Sequence, residues 1–284
     1  MTTSWCSPAR HHARCALLCF ALAALVILQG CTSGGSRAAD QRSLERAGLQ
    51  RFQVAPLIVA YVEPAPRGEV LTVFIESDGA RWARPDSPPL DPSPASSVSI
   101  ALTLREIPYG SVAYLGRPCQ YVNRISQNTA CPQRLWHEAR YGDEVVSMMD
   151  SALTTLLART GHQRLRLVGH SGGGVIAMLT AARRSDVDCI VTIGSPLHVR
   201  RWVRTMGLSD LTDSLDPEDV QANLGSVAQT HLLGADDDII PITIYHANAA
   251  GEFRVRVVPG FNHFSPWAAS WAQIRARSCL FNKK

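Results

Sequence analysis

Gly169-His170-Ser171-Gly172-Gly173 has the form G-x-S-x-G. Its context says more than its composition, because the apolar run 165–168 ends directly before it and the helical pattern GGVIAMLTAAR begins inside it. A serine in a strand-to-helix turn must hold a strained backbone, and glycine on either side lets neighbouring chains pass close to it. The helix start behind Ser171 would offer the Gly172 N–H and a positive dipole end to a developing oxyanion. The chemistry this pattern points to is nucleophilic attack by Ser171. A Gly-rich turn without chemistry is the alternative. Phosphate binding is weaker, because no Lys follows the glycines.

A hydroxyl is a poor nucleophile at its free pKa and needs a base that a carboxylate orients. In a strand–elbow–helix arrangement the partners follow along the chain in the order Ser, acid, His. Three consecutive acids, Asp236, Asp237 and Asp238, leave the apolar run THLLG. The spacing G-x-x-D-x-I-I-P favours Asp237, with Asp238 next and Asp236 last. His263 follows the run RVRVV and stands just before the last helical pattern, which makes it the expected base. His246 also lies after the acid but follows no strand. His137, His162 and His198 carry no such context, and His170 is the variable residue of the elbow. The second oxyanion donor should come from the turn Ser77-Asp78-Gly79-Ala80, where the Ala80 N–H is the first choice and Gly79 the second. Asp78 is either a plain turn residue or a group that shapes this loop.

These residues need elements to carry them. Runs at 71–75, 111–115, 165–168, 189–193, 231–233 and 254–258 are apolar and β-prone. Between them, 143–158 and 175–183 have helical spacing, and a last helix is expected over 266–279. Such alternation argues for an α/β protein with a mostly parallel sheet and helices on both faces. Residues 85–97 are rich in Pro and Ser and read as a loop, and 202–219 as a small cap over a cleft. At 284 residues with 46% hydrophobic and 18% charged side chains, the chain can bury a sizeable core and is not intrinsically disordered. Its net charge of +4 is weak, and Arg10 and Arg14 supply half of it, so no nucleic-acid partner is expected.

The N-terminus reads as an address. Basic residues precede an apolar run, 15–28, which is short for a membrane span but suits a secretory signal. Leu28-Gln29-Gly30-Cys31 after it resembles a bacterial lipobox, with Gln29 departing from the small or aliphatic residue usual there. The resemblance implies a signal peptide over 1–30, a lipid on Cys31 that holds the protein to a membrane, and a tether over 31–54 ahead of a domain at 55–284. Thr32 in place of Asp suggests the outer membrane, facing the periplasm. In an oxidising compartment Cys119 and Cys131, which share one turn-rich stretch, are the expected disulfide, with Cys189 free. No metal or other cofactor is expected, since no CxxC and no His at ligand spacing is present.

The motifs FIESDGARW, VAYLGRPCQY, RYGDEVV, GHSGGG, SPLHVRRW, GADDDIIP and GFNHFSPW together resemble the α/β-hydrolase superfamily, and more narrowly a group of proteobacterial α/β-hydrolase lipoproteins of unsettled substrate. In that group Gly is common where this chain has Ser77, and Asp where it has His198. The resemblance implies the α/β-hydrolase fold over about 55 to the end and a membrane-anchored serine hydrolase with a Ser171–His263–Asp237 triad. A small-molecule or lipid ester is the substrate this implies. Amide hydrolysis or acyl transfer would use the same residues, and a non-catalytic envelope protein on a retired scaffold is the rival of a different class.

Overall fold

The computed structural model describes residues 32–65, 67–80, 89, 91–122, 131–245 and 252–281. Eight strands form one sheet: β1 Gln50–Ala55, β2 Ile58–Val62, β3 Val70–Ile75, β4 Ser111–Leu115, β5 Arg164–His170, β6 Val187–Ile193, β7 Ala228–Gly234 and β8 Val255–Val258. Their spatial order is β1-β2-β4-β3-β5-β6-β7-β8. β1 and β2 form an antiparallel hairpin, β2 is antiparallel to β4, and every pairing from β4 onward is parallel. The central strands read as largely apolar runs because both of their faces are covered.

Seven α-helices are described: α1 Thr32–Arg46, α2 Val98–Glu106, α3 Asp143–Thr160, α4 Gly172–Ala181, α5 Val199–Thr205, α6 Pro217–Val220 and α7 Trp271–Ala276. Val73 and Ile75 of β3 pack with Met149, Leu153 and Leu156 of α3 and Ile176 of α4. The alternate residue Phe74, with Val168 and Val191, meets Leu102 of α2 and Trp271 of α7 on the opposite face. The period of two along each strand thus divides the core into two layers. α3 starts with Asp143 and Glu144 against its dipole and ends at Gly161, whose left-handed φ of 73° lets its N–H return to the Leu157 carbonyl.

Three expectations need correction. The stretch 31–54 is not simply a tether. Cys31 and the signal region lie outside the described residues, but α1 and β1 are folded onto the rest of the domain. Their polar composition concealed this. α1 buries Leu44 and is followed by the buried Leu49, against Val59, Tyr61, Val112 and Tyr114, and each buried Leu stabilises that docking by about 2 kcal/mol. Second, the last helix is shorter than 266–279. Asn262 folds its carbonyl oxygen onto the N–H groups of Phe264 and Ser265, and the Trp267 indole N–H donates to the Asn262 backbone carbonyl at 2.8 Å, so a tight turn occupies the start. Third, the disulfide joins Cys189 on β6 to Cys279, with Cα atoms 5.8 Å apart, and Cys119 and Cys131 are not bridged to each other. The turn after α7 folds back on the sheet, where the Cys279 N–H donates to Thr230 Oγ1 at 3.1 Å, and this brings together two residues separated by 90 in sequence. The stretch 202–219 holds the end of α5 and the start of α6, and its Trp202 lines the cleft described below.

Candidate active site

β5 delivers the chain into Ser171, which has φ 54° and ψ −127°, and α4 begins at the next residue. A non-glycine residue in that region costs roughly 1–3 kcal/mol, so the surroundings must enforce it. They do so by close packing. A Cβ at Gly169 would overlap the Gly173 backbone, and one at Gly173 would overlap the carbonyls of Ile75 and Glu76. The Ser171 N–H donates to the Ile193 carbonyl at 2.8 Å, which fixes the elbow to β6. Gly172 opens α4, so its N–H is among the donors a helix leaves without an internal acceptor.

Asp237 lies in the turn after β7 and is buried, whereas Asp236 and Asp238 are exposed. Its Oδ1 accepts the N–H groups of Ile239 at 3.0 Å and Ile240 at 2.8 Å. Its Oδ2 accepts Nδ1–H of His263 at 2.9 Å. That bond places the proton on Nδ1 and leaves Nε2, across the ring, as the acceptor. His263 stands on the loop after β8 and is itself buried. His246 lies outside the described residues.

His170, the variable residue of the elbow, has a part the sequence did not disclose. Its Nε2 donates to the His263 carbonyl at 2.7 Å, and the two rings lie 4.8 Å apart. Burial, and then the nearby His263, push its pKa down to about 3, so it is neutral, and among the described residues its buried Nδ1 has no hydrogen-bond partner. His170 therefore ties the His263 loop to the elbow that carries Ser171. Nothing in a lone His inside G-x-S-x-G signals that.

The loop after β3 corrects the expected oxyanion donor. The Ala80 N–H already donates to the Pro92 carbonyl at 3.0 Å and is not available. The Ser77 N–H donates to Glu76 Oε1 at 2.7 Å, and the Gly79 N–H faces Ser77 Oγ at 3.4 Å. The Asp78 N–H has no acceptor among the described residues. The Asp78 carboxylate lies against Gly172, so close that a Cβ there would overlap it. Glu76 braces this loop from beneath. It is fully buried, accepts from the Ser97 hydroxyl and from Tyr114 at 2.8 Å, and burial raises its pKa despite those donors.

Asp78 accepts an ion-paired hydrogen bond from Arg117 on Oδ1 and the Tyr141 hydroxyl at 2.5 Å on Oδ2, with Arg140 3.5 Å away. Burial works to raise its pKa, but Arg117, Arg140 and the Tyr141 hydroxyl outweigh that and hold it below the usual carboxylate range. Arg117, Arg140 and Tyr141 lie in the motifs after β4 and before α3, where no spacing rule marks them. Ser171, His263, Asp78 and Arg140 share one cleft of about 840 Å³, with Trp136, Trp202, Ile239 and Phe264 supplying apolar walls. Among the described residues no three His, Cys, Asp or Glu side chains converge as a metal-ligand set.

No family model matches the chain, and no curated protein matches it in sequence. Solved structures do match in shape. A candidate dienelactone hydrolase from Klebsiella pneumoniae superposes with a TM-score of 0.52 at 19% identity, over 80% of this chain and 96% of the other. The esterase Pf2001 from Pyrococcus furiosus gives 0.51 at 10% identity, over 82% and 91%. A Thermus thermophilus protein, TT1662, gives 0.51 at 16% identity, over 83% and 98%. With the sheet order above and the elbow at the carboxyl end of β5, these likenesses establish that the chain has the α/β-hydrolase fold.

Proposed function

We propose that this chain is a serine hydrolase that cleaves carboxylic esters at Ser171. The observation that carries this reading is the buried Asp237–His263 pair opening on the same cleft as the strained Ser171. In the proposed reaction His263 Nε2 takes the Ser171 proton as Oγ bonds to the ester carbonyl carbon. The N–H groups of Gly172 and Asp78 receive the negative oxygen, with Asp78 replacing Ala80 in that role. Collapse breaks the bond to the alkoxide, which leaves with the proton from His263. Water then repeats the sequence on the acyl-enzyme, so that one ester and one water become one acid and one alcohol. Asp237 keeps the imidazole in the required tautomer throughout.

The test is covalent labelling of the full-length protein with a fluorophosphonate probe, alongside turnover of 4-nitrophenyl acetate. Wild type should label and Ser171→Ala should not, with turnover lower by at least 10³-fold. Labelling that survives Ser171→Ala would overturn the proposal. We also propose that Cys31 carries the lipid that anchors the protein in the envelope. The disulfide Cys189–Cys279 supports an oxidising compartment. Among the described residues no helix is long and apolar enough to cross a membrane. Labelled palmitate should enter wild type and not Cys31→Ser; equal incorporation refutes the anchor.

A further inference from the structure

The charges around Asp78 do not balance. Arg140 lines the cleft, and its side chain is 15% exposed there. Its Nε donates to the His137 carbonyl at 2.8 Å, and its Nη1 lies 3.5 Å from Asp78 Oδ2, a long and weak contact. Asp78 is already committed elsewhere, to Arg117 through Oδ1 and to Tyr141 through Oδ2. Arg117 in turn donates its other nitrogen to the backbone carbonyl of Arg140, which holds the two arginines side by side. Two guanidiniums therefore share one carboxylate, and among the described residues Arg140 has no other acid partner.

Other arginines of this protein show the opposite balance. Arg184 lies between Asp150 and Asp186, and Arg200 among Asp216, Glu218 and Asp219. Two carboxylates or more surround each of these, at sites away from the cleft. Arg140 instead presents a spare positive charge and donors to the cavity that holds the nucleophile. A planar guanidinium fork matches a carboxylate, and such charge-assisted bonds strengthen where water is partly excluded.

We infer that Arg140 binds an anionic group, of the carboxylate class, on the substrate of this same site. The inference rests on the hydrolase reading and specifies its substrate: an ester with an apolar stretch for Trp136, Trp202 and Phe264 and a negative end for Arg140. The anion can sit on the acyl or on the alcohol side, and matched pairs of esters distinguish the two. Monoethyl adipate against ethyl hexanoate probes the acyl side. 4-Acetoxybenzoate against its methyl ester probes the alcohol side.

With full-length wild type, the anionic member of at least one pair should exceed its neutral partner about tenfold or more in kcat/KM, chiefly through KM. Arg140→Gln should lower that ratio at least tenfold, and Arg140→Lys should lower it less. Adipate should slow fluorophosphonate labelling of wild type while the neutral adipamide does not, a readout that stands even if Arg140→Gln fails to fold. Ratios at or below one in both pairs, no protection by adipate, or an equal loss of anionic and neutral turnover in Arg140→Gln overturn the assignment. The last of these would leave Arg140 only a counter-charge to Asp78. If wild type labels but shows no anionic preference, the Arg140 inference fails alone; if it neither labels nor turns over any ester, the hydrolase reading fails and takes this one with it.

Discussion

Replacing Asp237 by Asn tests how the carboxylate is used, because its two oxygens have different duties. Oδ1 accepts two backbone N–H groups, from Ile239 and Ile240, and Oδ2 accepts the His263 Nδ1–H. An amide has one acceptor and one donor end. With its oxygen toward Ile239 and Ile240, its NH₂ faces His263 and can only donate to Nδ1. The imidazole proton must then sit on Nε2, where it cannot accept from Ser171. Rotating the amide restores the tautomer but points NH₂ at two backbone donors, and each lost bond costs about 1–3 kcal/mol, so the flipped form is a few per cent of the population at most. The productive tautomer is therefore rare, and kcat should fall by about 30-fold to 10⁴-fold, the upper figure being the scale of such an amide replacement in a Ser-His-Asp triad. Turnover of 4-nitrophenyl acetate and the rate of fluorophosphonate labelling both report it. Stability should separate Asn from Ala: Asp237→Asn keeps both backbone bonds and melts near wild type, while Asp237→Ala loses both and about 2–6 kcal/mol. The exposed Asp236 and Asp238 should tolerate Asn within about twofold. If Asp237→Asn retains more than a tenth of wild-type turnover, or Asp238→Asn is the severe variant, the reasoning is wrong.

Acid should destabilise the fold through two histidines that burial keeps neutral, His170 with a pKa near 3 and His231 near 4. The unfolded chain takes up those protons near pH 6.5, so their contribution is complete above that pH and is lost progressively towards pH 4 and then 3. By pH 5 each has lost about 2 kcal/mol. Urea midpoints at pH 7.5 and 5 should show this, and His231→Gln should flatten the dependence; an unchanged slope counts against it. Reducing Cys189–Cys279, which are 90 residues apart, should lower stability by about 4–5 kcal/mol, whereas Cys119→Ser should not reproduce that loss in a melting curve with and without reductant. Asp78→Ala leaves Arg117 and Arg140 beside each other without their carboxylate and should destabilise by about 3–5 kcal/mol. A melting temperature within a degree of wild type would show that the cluster is not coupled to the fold.

What could be read in the chain was whatever depends on local pattern. Strands buried on both faces announce themselves as apolar runs, so β4 is visible at its full length and β5 through its apolar centre. The elbow is visible because a strand, a G-x-S-x-G and a helix adjoin. Among the three consecutive Asp, spacing singled out the one that the turn after β7 directs inward. What could not be read depends on where distant carbonyls and side chains arrive. Ala80 was the better donor by sequence, and it is occupied because the Pro92 carbonyl returns across it. Cys119 and Cys131 were neighbours in the chain, yet the turn after α7 brings Cys279 onto β6 instead. α1 was hidden because its polar sequence docks through few apolar side chains, Leu44 foremost.

The same division runs through the site itself. The elbow and the ends of β7 and β8 belong to the sheet, and any chain with this strand order would bring three residues together there. The charge beside them does not follow from the sheet, since Asp78, Arg117, Arg140 and Tyr141 come from the loops after β3 and β4 and before α3. A carboxylate next to Gly172 would by itself repel a developing oxyanion, and in a partly dry cleft that repulsion is strong. Arg117 removes most of it by pairing with Asp78, and the Tyr141 hydroxyl satisfies the second oxygen. Had neutralisation been the whole purpose, one arginine would have sufficed. Arg140 is in excess: it reaches Asp78 only at 3.5 Å, on a carboxylate already paired with Arg117, and it lines the cavity. The cluster of Asp78, Arg117 and Arg140 therefore carries one positive charge in excess, and under the proposed function an anionic group on the substrate is what would meet it.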